Sequence, residues 1–310
     1  MKNEKPRILP IKNIIIENDR VKTFVFEYEM DFAPGQFVMT WIPGYDEKPF
    51  GIVSRKKGEF MITVAAVGES TKALHSMNVG DMVGFRGPFG STFSLPEAGS
   101  IALIAGGYGM ASLFNLSKEA REKGIEVHVF LGARTKAELL YLDWMKELGA
   151  VLHLSTDDGS EGYKGFNTDL FAEHVKGHPP TRTSSPPSQG GISESLLPEG
   201  GLAKDLPFEG STSKGGGMLT KVYTVGPEIM EMKVADICYQ NNIPFEVSLE
   251  RYMKCGIGIC GSCCVDPVGW RMCVEGPVID GEKLKEIIEF GKYHRSASGK
   301  VEGYPWTKIS

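Results

Sequence analysis

The chain has 310 residues, with 34 Lys and Arg against 39 Asp and Glu, so its formal net charge is −5. This mildly acidic balance argues against a nucleic-acid surface, which needs clustered cations, and a hydrophobic content of 41% excludes a chain that is disordered throughout. Because the sequence has neither an apolar run of about 18 residues nor an apolar leader, we expect a cytoplasmic protein of two or three domains.

Residues 1–97 are predicted to form an antiparallel β-barrel. Short β-branched or aromatic runs begin at Asn13, Val21, Gln36 and Glu59, and Gly, Pro and Asp separate them. Strands that are this short and this closely spaced are typical of a small barrel.

Two segments of the predicted barrel are candidate binding sites. In Lys48-Pro49-Phe50-Gly51 a cation stands beside an aromatic ring, which suits a phosphate and a flat ring. The segment Val67-Gly68-Glu69-Ser70-Thr71 is a glycine turn that enters a predicted helix, Thr71 to Met77, where an anion could bind. Each segment could instead be an ordinary turn.

Residues 98–247 are predicted to form a parallel, doubly wound α/β domain, because strands and helices alternate there. The predicted strands are Ile101–Ala105, Glu126–Leu131, Val151–Ser155 and Leu219–Val225, and the predicted helices are Ala111–Lys123, Lys136–Leu148, Phe166–Val175 and Ile229–Asn241. An insertion at 178–217 is about half Pro, Gly and Ser, and we expect it to be disordered, although a binding tail is an alternative.

Three glycine-containing turns follow strands of this domain. Gly106-Gly107-Tyr108-Gly109 joins a buried strand to a helix, as in phosphate sites, but it lacks the third glycine of the dinucleotide fingerprint and could be a turn without a ligand. Gly132-Ala133-Arg134 and Gly226-Pro227 end two further strands. Ligands of open parallel sheets bind at these carboxyl ends, so Arg134 could meet a nucleotide, or it could be a solvated loop cation.

Residues 248–310 contain the strongest motif. Cys255, Cys260, Cys263 and Cys273 have the spacing C-x4-C-x2-C-x9-C, and its first three members match the plant-type run of a 2Fe-2S cluster. The intervening glycines allow backbone N–H groups to approach the cluster sulfurs. A zinc site is the alternative, although zinc cysteines usually come as two C-x2-C pairs. Cys264 and Cys238 are interpreted as packed residues that do not bind the metal centre. A polar helix is predicted from Gly281 to Phe290.

The number of electrons that each redox group transfers connects these motifs. A nicotinamide transfers two electrons as hydride, whereas a 2Fe-2S cluster transfers one electron at a time. A chain that uses both therefore needs a flavin, which can do either. We expect that flavin in the barrel, between the cluster and the nicotinamide site.

The chain resembles the electron-transfer subunits of type B dihydroorotate dehydrogenase, especially the archaeal ones. The resemblance covers essentially the whole chain except the insertion, and its most specific part is the cysteine block with the Cys273-Val-Glu-Gly-Pro-Val segment that follows. It implies a ferredoxin-reductase-like fold that binds FAD, NAD and one 2Fe-2S cluster. It also implies a heterotetramer, two copies of each chain, with an FMN-containing catalytic subunit that oxidises dihydroorotate in pyrimidine biosynthesis.

The resemblance assigns site residues position by position. The four spaced cysteines would hold the cluster, while Lys48 to Gly51, Thr63-Val64-Ala65 and Ser70-Thr71 would contact FAD. Family members usually have Arg at position 48 and Ser or Thr at position 51, and related reductases commonly have Pro at 112 and Cys at 225. Lys48, Gly51, Ser112 and Val225 depart from these patterns.

Two other functions remain open. One is the reductase subunit of an NADH-dependent ferredoxin:NADP oxidoreductase or of a sulfhydrogenase, and the other is a metal-binding regulator without turnover. No residue is expected to oxidise an organic acid, because the histidines are interpreted as dispersed surface or packed residues: His75, His128, His153, His174, His178 and His294.

Overall fold

The computed structural model describes residues 5–177 and 219–305. The predicted disordered insertion at 178–217 lies outside the described residues. Within the described ranges, no helix combines the length and the apolar character that crossing a bilayer requires.

The N-terminal part of the chain forms two antiparallel sheets around a shared core. Its elements are β1 Arg7–Pro10, β2 Asn13–Asn18, β3 Val21–Glu27, β4 Phe37–Trp41, β5 Glu47–Gly51, β6 Glu59–Ala65, α1 Glu69–Ser76 and β7 Met82–Phe89. One sheet has the order β1-β7-β4-β5 and the other the order β2-β3-β6. Phe26 of β3 meets Phe85 of β7 in the core, with ring centroids 4.5 Å apart. The antiparallel β structure predicted for this part is confirmed.

Three of these strands, β1, β5 and β7, were absent from the prediction. Gly and Pro interrupt the alternation of side chains in β5 and β7, which hides the period of two that marks a strand. The segment Lys48–Gly51 consequently lies in a strand rather than in a turn. Helix α1 begins at Glu69, two residues earlier than predicted, because the Thr71 side chain accepts hydrogen bonds from the preceding backbone.

The central part of the chain alternates strands and helices. Its elements are β8 Ser100–Gly106, α2 Met110–Glu122, β9 Glu126–Ala133, α3 Leu142–Glu147, β10 Val151–Thr156, β11 Tyr163–Lys164, α4 Asn167–Val175, β12 Lys221–Val225, α5 Glu228–Gln240 and β13 Phe245–Ser248. These six strands pair in parallel. Both faces of β8 are buried, since Ile101 and Leu103 pack on one side and Ala102 and Ile104 on the other. The predicted doubly wound domain is confirmed.

The C-terminal part supplies the last strand of the same sheet. Its elements are β14 Cys264–Val265, β15 Trp270–Arg271, β16 Val278–Asp280, α6 Gly281–Leu284, β17 Tyr293–Arg295 and β18 Val301–Gly303. Strand β16 pairs antiparallel with β13, so the order of the sheet is β11-β10-β9-β8-β12-β13-β16. The cysteine motif therefore lies between two neighbouring strands of the central sheet.

The single helix predicted from Lys136 to Leu148 is wrong. The segment consists of a short 3₁₀ turn and then α3, and between them Tyr141 adopts a left-handed backbone with φ 62°. In that position the Tyr141 ring stacks on Trp144, with centroids 4.2 Å apart, and its hydroxyl contacts Thr63 of the barrel. A contact between two parts of the fold thus breaks the helix that the local pattern favours.

The helix predicted from Gly281 to Phe290 is also wrong, because α6 ends at Leu284. Beyond it the backbone turns, and the Ile288 N–H donates to the carbonyl oxygen of Asp266 at 3.1 Å. This turn buries the carboxylate of Glu289 against Arg251 at 2.6 Å. A buried ion pair at this point replaces the regular hydrogen bonds of a helix.

Candidate functional site

The loop that carries the first three spaced cysteines has an unusual backbone. Gly256, Gly258 and Gly261 have φ values of 72°, 76° and 71°, in the left-handed region that favours glycine. The loop therefore curls tightly and turns its N–H groups inward.

Several of these N–H groups donate to sulfur. The Gly258 N–H lies 3.2 Å from Sγ of Cys273, and the Ile259 and Cys260 N–H groups lie 3.3 and 3.5 Å from Sγ of Cys255. Burial tends to raise the pKa of the Cys255 thiol, but the loop N–H groups outweigh it and lower this pKa to about 7. The loop therefore stabilises negative charge on sulfur, which any thiolate-bound metal centre requires.

The four thiols are arranged as two pairs. Cys255 interacts with Cys260, and Cys263 interacts with Cys273. The hydrogen bond from Cys273 lowers the pKa of the Cys263 thiol to about 7, and that same bond, with burial, raises the pKa of Cys273. Two pairs of thiols suit a cluster of two irons, each of which takes two cysteines.

A mononuclear zinc site fits this arrangement less well, because zinc needs its ligands around one point. In the part of the chain that the structure describes, the cysteines form no group of three whose sulfurs all lie within 4.8 Å of one another. The donor set therefore favours the binuclear cluster.

The other two cysteines have different surroundings. Cys238 on α5 is completely buried in the apolar core, as predicted. Cys264 lies in β14 opposite Arg271, and burial raises the pKa of its thiol. Around the motif, Cys263 and Cys273 are buried, whereas Cys260 is exposed and Ile259 is 80% exposed. One edge of the cysteine site thus faces the surface.

The opposite side of the cysteine loop packs against the barrel. The guanidinium of Arg86 on β7 donates to the carbonyl oxygen of Cys255 at 3.0 Å and is also paired with Glu47. A Cβ atom at Gly256 would lie 2.6 Å from Cγ of Met39, so glycine is required for this approach. Met39 pairs with Pro49 of β5, which places the loop one strand away from the Lys48–Gly51 segment.

The predicted flavin segments of the barrel line a cavity of about 540 Å³. Lys48 pairs with Asp46 at 2.7 Å, and the Ser70 hydroxyl donates to the same carboxylate at 2.5 Å. Burial opposes ionisation of Asp46, but these two partners together lower its pKa. The predicted residues found in this cavity are Lys48, Pro49, Phe50, Gly68, Ser70 and Thr71.

A second cavity, of about 660 Å³, opens between the barrel and the carboxyl ends of β8, β9 and β12. Its volume lies within the range usual for cofactor sites, and Val67 lines both cavities. Gly109 is required here, since a Cβ would lie 2.3 Å from the carbonyl oxygen of Val225. The predicted residues found in this cleft are Ala65, Gly106, Gly107, Tyr108, Gly109, Gly132, Arg134, Gly226 and Pro227.

Three predicted positions line neither of these two cavities: Gly51, Thr63 and Val64. The Val64 side chain is buried in the barrel core, and the Thr63 hydroxyl bonds to Thr23 at 2.8 Å. Arg134 is exposed and paired with Glu138, so at present its guanidinium binds a carboxylate.

Two departures from the family pattern meet in space. A Cβ atom at Gly51 would lie 2.9 Å from the Ser112 hydroxyl oxygen, so the hydroxyl fills part of the volume that a side chain at position 51 would take. The glycine at 51 and the serine at 112 therefore accommodate each other.

Buried charges next to the cleft were missed by sequence reasoning. The guanidinium of Arg251 is paired with Glu228 at 2.7 Å and with Glu289 at 2.6 Å. Burial, and then the charge of Glu228, raise the pKa of Glu231 well above its usual range, and its carboxyl accepts from the Gly226 N–H at 3.1 Å. Arg251 lies 23 and 38 residues from its two carboxylate partners, so no local pattern could reveal these ion pairs.

Asn167 is a further residue that was missed. Its side-chain amide donates to the carbonyl oxygens of Ala105 at 2.8 Å and Phe130 at 3.2 Å, and thus ties the start of α4 to two neighbouring strands. It also lines the cleft.

The interpretation of the histidines as dispersed is wrong for three of them. His128, His153 and His174 come together because β9, β10 and α4 are neighbours in the fold. Residues on three separate elements carry no joint signal in the sequence.

A known family model matches the cysteine region of the chain. The model of the iron-sulfur cluster binding domain of dihydroorotate dehydrogenase B matches residues 250–285. This range contains all four spaced cysteines.

Curated relatives align over nearly the whole chain. A protein of Methanocaldococcus jannaschii, named a probable dihydroorotate dehydrogenase B (NAD(+)) electron transfer subunit, is 44% identical over 297 residues, which cover 96% of this chain and 98% of the relative. A protein of Pyrococcus horikoshii with the same name is 36% identical, covering 91% of this chain and 93% of the relative.

The chain is also similar to a solved structure of an NADH-dependent reduced ferredoxin-NADP oxidoreductase. That structure is described in connection with flavin-based electron bifurcation. It has a TM-score of 0.70 and 26% identity, and the alignment covers 92% of this chain and 94% of that one.

Proposed function

We propose, since this chain belongs to the family of dihydroorotate dehydrogenase B electron transfer subunits, that it carries electrons from an FMN-containing dihydroorotate dehydrogenase subunit through a 2Fe-2S cluster and FAD to NAD+. This activity is that of an oxidoreductase subunit in pyrimidine biosynthesis. The chain would act on dihydroorotate only together with its partner.

The observation that carries this proposal is the position of the cysteine loop. It packs through Gly256 on Met39, whose strand neighbour Pro49 lines the barrel cavity. That cavity in turn shares Val67 with the cleft at the end of the parallel sheet. The three proposed sites are thus contiguous, in the order that electron transfer from the cluster through FAD to NAD+ needs.

Each group is assigned to its own residues. Cys255, Cys260, Cys263 and Cys273 would hold the cluster, whose chemistry is one-electron transfer. Residues 1–97 would bind FAD, residues 98–247 NAD and residues 248–310 the cluster. The proposed cofactor contacts are Lys48, Pro49, Phe50, Gly51, Thr63, Val64, Ala65, Gly68, Ser70, Thr71, Gly106, Gly107, Tyr108, Gly109, Gly132, Arg134, Gly226 and Pro227.

The surface edge of the cysteine site suits a partner subunit. Ile259 and Cys260 of the loop are exposed, and an FMN-bearing chain could dock there. We propose two copies of each chain in the complex, and the cytoplasm as its compartment, since a reducing compartment keeps cluster thiols available.

The function is tested by separating the chain from its partner. We expect the isolated chain to reduce an artificial acceptor such as ferricyanide with NADH, because its cleft and barrel are complete without the partner. Dihydroorotate-dependent reduction of NAD+ should require addition of the FMN-containing subunit. Turnover of dihydroorotate by the isolated chain would contradict the proposal.

A second function, a reductase subunit of a ferredoxin:NADP-type complex, is favoured by the TM-score of 0.70 to such a structure. The partner that co-purifies with the chain distinguishes the two functions. A purified chain that contains zinc and lacks the absorption bands of flavin and iron-sulfur groups would instead indicate a metal-binding regulator.

The nicotinamide site is tested by Gly109→Ala. The new methyl group would lie 2.3 Å from the Val225 carbonyl oxygen, so the turn must move away from the end of β12. We expect the KM for NADH to rise about tenfold or more, a loss of about 1.4 kcal/mol in binding. The flavin content, measured by absorbance, serves as the internal control and should not change. An unchanged KM would show that the nucleotide does not use this turn.

A further inference from the structure

Three histidines form a compact cluster outside the proposed redox path. His128 lies near the start of β9, His153 in the middle of β10 and His174 near the end of α4. One ring nitrogen from each lies within 4.8 Å of the others. His128 and His153 are closest, with Nδ1 and Nε2 3.2 Å apart.

The histidine cluster lies away from the nucleotide cleft. The cleft is lined by Gly132, four residues farther along β9 and at the carboxyl end of the strand. At about 3.3 Å per residue, His128 is roughly 13 Å from that end. None of the three histidines lines either cavity described above. A ligand at the cluster would therefore not compete with NAD.

The fold holds the imidazoles in place. The His153 ring stacks on Phe130, with centroids 4.3 Å apart and planes inclined by 7°. The His174 ring lies edge-on to the same phenyl ring, at 5.3 Å. Both strands are fixed by the parallel register that sets His153 opposite Phe130. The three side chains thus approach one another without depending on a mobile loop.

The cluster also has a carboxylate next to it. Oε1 of Glu126 lies 3.7 Å from Nε2 of His128, and the Glu126 side chain is 43% exposed. This carboxylate faces Nε2 of His128, whereas Nδ1 of the same ring faces His153, so Glu126 would hold the His128 ring from outside the site and would not bind the ion. Its negative charge would also partly balance the charge of a divalent cation.

The protonation state of the rings is compatible with metal binding. Burial lowers the pKa of His128, and burial together with the neighbouring histidines lowers the pKa of His153 to about 4. At neutral pH these rings are therefore uncharged, and neutral imidazole is the form that binds metal.

We propose that His128, His153 and His174 bind a divalent transition metal ion, with zinc as the preferred ion, and that a water molecule completes the site. Zinc takes tetrahedral sets of imidazole and carboxylate ligands at about 2.0–2.1 Å. Ligands of such a site lie about 3.3 Å from one another, as this bond length and tetrahedral geometry require. The 3.2 Å approach of His128 to His153 already meets this spacing, and the ring nitrogen of His174, which lies within 4.8 Å of the other two, must move closer to complete the set.

A metal at this site would join three elements of the fold. It would tie α4 to β9 and β10 on one face of the central sheet, in addition to the packing of Phe171 on Phe130. The role would be structural, and it does not depend on the function proposed for the chain.

The test uses the complete protein with its cluster and flavin in place. After dialysis against micromolar free zinc, elemental analysis should show one zinc per chain beyond the iron. X-ray absorption at the zinc edge should show nitrogen and oxygen neighbours with the scattering pattern of imidazole. A shell of sulfur neighbours, or no retained zinc, would overturn the proposal, since the first would place the ion on the cysteines.

Variants assign the zinc to these residues. His174→Gln should reduce the zinc content at least tenfold, whereas His294→Gln, a histidine outside the cluster, should leave it unchanged. Zinc should also raise the melting temperature of the unaltered protein by about 5 °C, but not that of His174→Gln. If His174→Gln retained zinc and its thermal shift, the three imidazoles would be a hydrogen-bonded cluster without a metal.

Discussion

Replacing Cys260 by serine is expected to remove the 2Fe-2S cluster and to leave FAD bound. Cys260 is paired with Cys255, so the substitution leaves one iron with a single protein thiolate. A serine hydroxyl is a poor substitute, because it remains protonated at neutral pH where the neighbouring thiol ionises. The barrel cavity contains no residue of the cysteine loop, so its ligand contacts persist.

The expected loss of function is nearly complete. Loss of an outer-shell partner of a metal site typically costs 10–100-fold, so loss of a direct ligand should reduce dihydroorotate-dependent NAD+ reduction by more than about a hundredfold. NADH-dependent reduction of ferricyanide, which needs only the flavin, should remain within about twofold. Iron content, flavin content and both activities are measured on the same preparation.

Cys264→Ser is the matched control. It makes the same chemical change in the residue next to Cys263, but its thiol belongs to neither of the two pairs. This variant should keep its iron and both activities. Loss of the cluster in Cys264→Ser would show that the ligand set is wrong, and loss of flavin in Cys260→Ser would show that the two sites are not independent.

Replacing Arg251 by methionine is expected to destabilise the protein by about 3–5 kcal/mol. The guanidinium is almost completely buried between Glu228 at the start of α5 and Glu289 beyond α6. Methionine fills a similar volume but leaves two carboxylates without a cation in an apolar environment. Either both must be protonated or water must enter, and each costs free energy. Urea unfolding, followed by tryptophan fluorescence, measures the change.

Arg295→Met is the control for this prediction. Arg295 pairs with Asp266 at 2.7 Å, but about a third of each side chain is exposed. An ion pair in that setting contributes about 0–1 kcal/mol, so the control should unfold at nearly the same urea concentration as the unaltered protein. Equal losses of unfolding free energy in the two variants would show that burial does not decide the strength of an ion pair.

The sequence predicted those features that depend on local patterns. The alternation of strands and helices established the parallel sheet, and each turn predicted to bind nucleotide lies at the carboxyl end of a strand. The cysteine spacing with its glycines identified the loop, since those glycines are needed by the curled backbone itself. These signals are carried by residues that are close together in the chain.

Features that depend on distant contacts could not be predicted in this way. The predicted helix from Lys136 to Leu148 is interrupted at Tyr141, because the Tyr141 hydroxyl reaches Thr63, 78 residues earlier. Arg251 meets partners 23 and 38 residues away, and the histidine cluster draws on three elements. In each case tertiary packing decides the outcome, and propensity alone would give a different one.

The pairing of β16 with β13 has a consequence for biosynthesis. While the chain emerges from the ribosome, β13 is complete at Ser248, but its neighbour arrives only with Val278. Until then β13 is an open edge of the sheet, with unpaired backbone groups that can recruit other chains. The thiols that await iron emerge during this interval. Delivery of iron while translation continues would close the intervening loop and bring the final strand to its place, and iron starvation should therefore increase aggregation of newly made chains.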